Sequence, residues 1–365
     1  MTKEKINSLQ IASFIVSSII ASLTGIGIYI ATEGAVIDAW ISVIISAMMG
    51  IVPLVMILYL FNFEQDKTIT EKINYIFGKY LGFVINFLIV GIVFIIAATD
   101  LFNIANFLIT QFLSETPLLV ICLLFCGVSF YAITNGFETI SRVNLIFVGI
   151  LISFFVIFIA TLIPQVQVEN YMPILVNGID KPIMSGFLVM LANIVPIFLI
   201  LIVPKKNITD KKKLNKYLIV FYIIGVICAI ASIVIIVGIL GEYLIKSYQY
   251  PEYAVLKKIS LFGFIERIEN LLSLQWILSC FSLLTLCIYY ISNTIKKVKK
   301  NKLVSIGVIA IIIIMVLTLF KSNTHFNLYI YYIYPYILLG LLGLFVIVMI
   351  GAWVKKKKKN AINLK

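Results

Sequence analysis

The chain has 365 residues, 62% of them hydrophobic and only 12% charged, which excludes an ordinary soluble domain and points to a polytopic membrane protein. The net charge of +13 suggests nucleic acid at first sight, but the placement of the lysines makes that partner unnecessary. Five cysteines all fall inside apolar runs and no histidine lies near them, so they are expected to pack rather than to bind a metal.

The first apolar stretch, Leu9 to Ala31, carries no formal charge. At about 1.5 Å per residue it is long enough to cross a hydrocarbon core of roughly 30 Å. It is too long for a signal-peptide core and lacks a small-residue cleavage site, so it is expected to remain as a span. Ser22, Thr24, Gly25 and Gly27 fall together within it, and glycine gains the most freedom when a helix unwinds. Two readings stand side by side. The helix is broken near mid-membrane and aims freed N–H and C=O groups at a bound solute, or the glycines let a neighbouring helix pack closely.

Ten spans are predicted, at about 9–31, 36–61, 79–112, 117–136, 140–163, 183–203, 215–240, 266–295, 302–320 and 328–353, within one membrane domain covering 1–365. Alternating the connections puts every lysine and arginine on one side except Lys181, Lys246, Lys257, Lys258, Arg267 and Lys321. The positive-inside rule then places both termini in the cytoplasm. The lysine runs become inner anchors drawn to anionic membrane lipid.

On the third span Thr99, Asn103, Asn106 and Thr110 share one helical face. Asp100 borders that stripe, about 30 Å along the axis from Lys79. It reads as a vestibule residue or as an acid bonded to neighbouring helices. The outer loop after the seventh span contains Tyr250-Pro251 followed by EYAVLKKISLF. That segment is expected either as a short amphipathic helix on the outer surface or as an irregular loop.

Ten spans divide into five and five. The lead helix of the second half, Ile183 to Val203, is interrupted at Asn193 and Pro196, because proline lacks the N–H that a helix interior needs. Two halves in opposite orientation, each led by a broken helix, form the pattern of inverted-repeat transporters. The predicted fold is therefore all-α, a five-plus-five inverted repeat with the first and sixth helices broken. On the eighth span Glu266, Arg267 and Glu269 stand at the outer mouth, suited to a helix N-terminus or to a partner contact. Deeper in, Ser279, Ser282, Thr285 and Tyr289 share a face. They contact a solute or satisfy their own backbone carbonyls. No phosphate-binding loop or nucleophile–base arrangement occurs, so an enzyme is not expected, nor is a cofactor.

These features resemble one family. The glycine pair in the first helix, the run from Tyr250 to Lys297 with FIERIE and Trp276, and the ten spans are similar to the spore germination permeases, the B subunits of germinant receptors. The resemblance implies the LeuT-like fold of the amino acid–polyamine–organocation superfamily. It also implies a sensor of a small-molecule germinant in the spore inner membrane, working with an A and a C subunit. In such a site the carboxylate of an amino acid would meet the N–H groups freed at Thr24, Gly25 and Gly27. Its ammonium would meet carbonyls around Asn193 and Pro196 and the hydroxyls of Ser282 or Thr285, with Tyr289 nearby. Ile26, Leu101, Val195 and Phe198 would shape the side-chain pocket. The competing expectation is a stand-alone amino-acid transporter coupled to protons or sodium.

Overall fold

A computed structural model describes residues 6–176, 178–258, 273–295 and 302–363. Glu266, Arg267 and Glu269 lie outside the described residues.

Helix α1 (Ser8–Ser22) starts where Asn7 and Gln10 form a capping box, each side chain accepting a backbone N–H of the other end of the turn. Apart from Leu9 and Gln10 it is wholly buried. Its serines and alanines let α7 (Phe137–Leu162), α9 (Leu214–Ser247) and α11 (Leu274–Ile295) close around it. Ser17 donates to Asn144 Oδ1 at 2.7 Å, and Asn144 Nδ2 donates to Ser13 at 2.7 Å, so the polar groups of this contact satisfy one another away from water.

After a five-residue interruption, Leu23–Gly27, the chain resumes as α2 (Ile28–Ala35). A turn at Val36–Asp38 leads into α3 (Ala39–Met49) and α4 (Ile51–Asn62), which meet at Gly50. Helix α5 (Ile69–Gln111) is sharply bent at Gly78, whose φ of +81° suits only glycine, so a short helix precedes the expected span. The buried Lys72 of that short helix donates to Leu60 O at 2.6 Å and ties it to the end of α4.

Helix α6 (Leu118–Thr134) follows Pro117. Helix α8 (Asp180–Ile194) packs on α2 and α3, then tightens to a 3-10 helix over Val195–Ile202 from Pro196 onward. Helix α9 is bent at Gly241, and α10 (Pro251–Leu256) follows in the connection after it. Helix α12 (Lys302–Leu319) packs on α5 and α11. The expected last span is two pieces, α13 (Asn323–Tyr332) and α14 (Tyr334–Asn363).

Among the described residues eight helical stretches are long and apolar enough to cross a membrane. One of them, Ser8–Asn62, is divided by the Val36–Asp38 turn, and the apolar Leu118–Thr134 is shorter. Phe83, Phe87, Leu124, Val156, Ile227 and Ile314 are exposed on the outside of the bundle, where hydrocarbon rather than water would cover them.

Candidate functional site

The interruption in the first helix is a true break. Thr24 takes ψ of 125° and Gly25 takes φ of +77°, so the hydrogen-bond ladder between α1 and α2 is cut. The freed Thr24 carbonyl accepts from Asn103 Nδ2 at 3.0 Å, which gives the polar stripe on α5 its purpose. The Thr24 hydroxyl bonds back to Ile20 O at 2.9 Å. A Cβ at Gly25 would lie 2.4 Å from Asn103 Oδ1 and 2.8 Å from the Trp276 ring, so only glycine fits. Ile26 is buried beside it.

The interruption in the second half touches the first. A Cβ at Gly27 would lie 2.6 Å from Asn193 Oδ1 and 2.9 Å from its Nδ2. Asn193 is 2% exposed, and its Oδ1 has no hydrogen-bond partner. Val195, Pro196 and Leu101 are buried, and Phe198 stacks on Phe345 with ring centroids 4.2 Å apart. The first break therefore meets the Asn193 side chain at Gly27, while those apolar residues are enclosed in helix packing.

The connection after α9 closes over this point. Asn106 Nδ2 donates to the Tyr250 hydroxyl at 2.6 Å, and the Tyr250 ring packs edge-on against Phe107 and Trp276. Tyr253, Val255 and Leu256 of α10 are buried as well. The described start of the segment expected as a surface helix or an irregular loop is a helix folded inward instead, because almost every face of Tyr-Pro-Glu-Tyr-Ala-Val-Leu is apolar and has core to cover. Its one acid, Glu252, is carried in with it, 9% exposed, beside a cavity that also touches Thr24 and Trp276. Burial pushes the Glu252 carboxyl up to about 7; the nearby N–H groups of Glu252 itself and of Gly25, which make no hydrogen bond to it, offset only part of that rise. Sequence reasoning missed this residue. The available signal was an acid embedded in the first turn of a helix with no polar face.

The cavity measures only about 40 Å³, well short of the roughly 300–1,000 Å³ usual for small-molecule pockets. A bound organic molecule requires the wall to move, and α10 is the shortest α-helix of that wall.

Other expected positions lie elsewhere. Ser282 donates to Leu278 O at 2.9 Å, and Thr285 shares a hydrogen bond with Ser129 at 3.0 Å. Both face a separate cavity of about 200 Å³ between α6, α7 and α11. Tyr289 packs on Phe137 and lines a further cavity together with Pro204 and Asn293. Asp100 is 2% exposed and faces the Cys280 thiol inside the bundle, so it does not border an open vestibule.

Comparison with known proteins places this geometry. The profile of a family described as spore germination protein matches residues 5–327. The chain belongs to that family. It is 25% identical over 313 residues to spore germination protein A2 of Bacillus subtilis (strain 168), covering 84% of this chain and 85% of the relative. It is 26% identical over 330 residues to spore germination protein XB of Bacillus anthracis, covering 89% and 91%. Among solved structures it is similar to Mhp1, a nucleobase-cation-symport-1 family transporter in a closed conformation with bromovinylhydantoin bound. The TM-score is 0.66 at 15% identity, over 95% of this chain and 78% of that one. This likeness shows the fold, all-helical and LeuT-like. The protein is thus an integral membrane member of the germination family with a transporter's architecture.

Proposed function

We propose that the chain is the germinant-sensing, permease-like subunit of a spore germination receptor, binding an amino acid where its two helix breaks meet. The observation that carries this reading is the contact between the break at Thr24–Gly27 and Asn193, whose buried Oδ1 has no partner. Backbone groups cut loose from a helix in a low-dielectric interior need partners, and a zwitterion supplies both signs of charge. The reading is of binding rather than catalysis. The protein sits in the spore inner membrane with both termini cytoplasmic, as its lysine distribution supports. It passes the binding change to A and C subunits.

A screen of each common L-amino acid against the purified chain tests the reading, with ligand-induced thermal stabilisation as the signal. Binding by none of them would overturn it. The fold shared with Mhp1 favours a second reading, a stand-alone transporter. Uptake of labelled amino acid into vesicles containing this chain alone would establish that alternative.

One consequence separates the break from the hydroxyl face of α11. Ser282→Ala removes a hydroxyl that serves its own helix, so the germinant concentration for half-maximal response stays unchanged. Thr285→Val strips Ser129 of its partner and costs about 1 kcal/mol of stability, again without moving the dose curve. Dose–response series on spores matched for receptor level check both.

A further inference from the structure

The cavity beside the first break has an unusual balance of groups. Both Glu252 carboxylate oxygens are buried without a hydrogen-bond partner, and so is Gln275 Oε1 on the same wall. Five aromatic residues, Phe107, Phe155, Phe158, Tyr253 and Trp276, line the same cavity. Phe107 packs on Trp276 with centroids 4.1 Å apart and meets Tyr253 edge-on at 5.3 Å. No lysine, arginine or histidine is among the described residues lining the cavity. Three unpartnered acceptor oxygens against one unpartnered donor, the Trp276 Nε1–H, an acid with no counter-charge among the described lining residues, and the rings of Trp, Tyr and Phe are together surroundings that attract a positive group. An unpaired buried acid carries a standing cost, and a ligand that supplies the missing charge recovers it.

We propose that Glu252, with Phe107, Tyr253 and Trp276, forms the subsite for the cationic group of the ligand. This rests on the reading of the break as the ligand site, and it narrows the ligand to amine-bearing molecules. It also reverses the placement that the family resemblance implies, which puts the ammonium at the carbonyls around Asn193–Pro196 and the hydroxyls of Ser282 or Thr285. The ammonium lies on the outer side of the break, held by the loop helix α10, and the Asn193 side is left to the rest of the ligand. Because α10 carries the acid, ligand binding acts directly on the outer connection that closes the cavity. Glu252 binds a cation only when ionised, and its carboxyl is held near pH 7 by burial. Affinity therefore falls as pH drops below about 7. Tyr250 and Tyr253 of its own helix are the titratable groups facing it. The described lining from α1, α2, α5, α7, α9 and α11 brings no other charged side chain.

The test uses the full-length chain in detergent or nanodiscs, with each common L-amino acid as probe. For any that binds, it adds the amine lacking the carboxylate and the acid lacking the amine. The expected result is that the bare amine competes and the bare acid does not. Glu252→Gln should lose roughly tenfold to a hundredfold in affinity for the amine-bearing probes. Wild-type affinity should also decline between about pH 8 and pH 6, while the residual affinity of Glu252→Gln stays flat. Equal affinity in wild type and Glu252→Gln, or competition by the bare acid alone, would overturn the subsite and leave the ligand site standing. Failure of wild type to bind any amino acid would overturn both. The variant replaces a buried charge by a neutral amide of the same shape, and the wild-type pH series decides the matter even if the variant expresses poorly.

Discussion

Spores carrying Gly25→Ala in this chain are expected to give no response at any germinant concentration, while the protein remains in the membrane at close to its normal level. The methyl group acts in two ways. At φ of +77° an L-residue costs about 1–2 kcal/mol, which favours rewinding toward a continuous helix. The added carbon also sits 2.4 Å from Asn103 Oδ1 and pushes Asn103 off the Thr24 carbonyl. Leaving a buried carbonyl without its donor costs a further 1–3 kcal/mol or so. The sum is large against the site's geometry but smaller than the roughly 5–15 kcal/mol of a whole fold. Immunoblots of the membrane fraction beside germination curves make the comparison. Loss of the protein from the membrane, with normal response per remaining molecule, would assign Gly25 to helix packing alone.

That break was readable in the sequence because Thr24, Gly25 and Gly27 interrupt a stretch with no charge to explain them. Once lipid excludes loose backbone, such an interruption has few outlets. The same logic found Asn193 and Pro196, and the structure brings the two interruptions into contact. Other features turned on tertiary packing. Thr99, Asn103, Asn106 and Thr110 announced a polar face, but not that Asn103 reaches the Thr24 carbonyl or Asn106 the Tyr250 hydroxyl. Ser282 and Thr285 shared depth with the breaks, yet rotation of α11 about its axis turns them toward α6 and α7. Helical periodicity fixes which residues share a face and leaves open where that face points. Glu252 was hidden for the same reason. An acid in an outer loop ordinarily belongs in water, and only the fold of the connection shows it buried.

The contact between the breaks can be tested by exchanging volume across it. Gly27→Ala puts a carbon 2.6 Å from Asn193 Oδ1, closer than van der Waals contact permits, so one of the two helices must shift. Overpacking of this kind costs about 1–3 kcal/mol, and the response should be lost because the shift moves both breaks. Asn193→Ala alone deletes an amide oxygen that has no partner, so the loss of stability should be small. The double variant removes the clash. Its thermal stability should return close to wild type, giving a coupling between the two sites of about 1–3 kcal/mol, as expected for residues in contact. The response should nevertheless stay absent, since the Asn193 amide that faces the site is gone. Melting curves of the four purified proteins and germination of the four spore strains provide the complete cycle. Recovery of stability together with response would mean that Gly27 and Asn193 only pack. Stability that fails to recover would mean that the breaks do not meet as described.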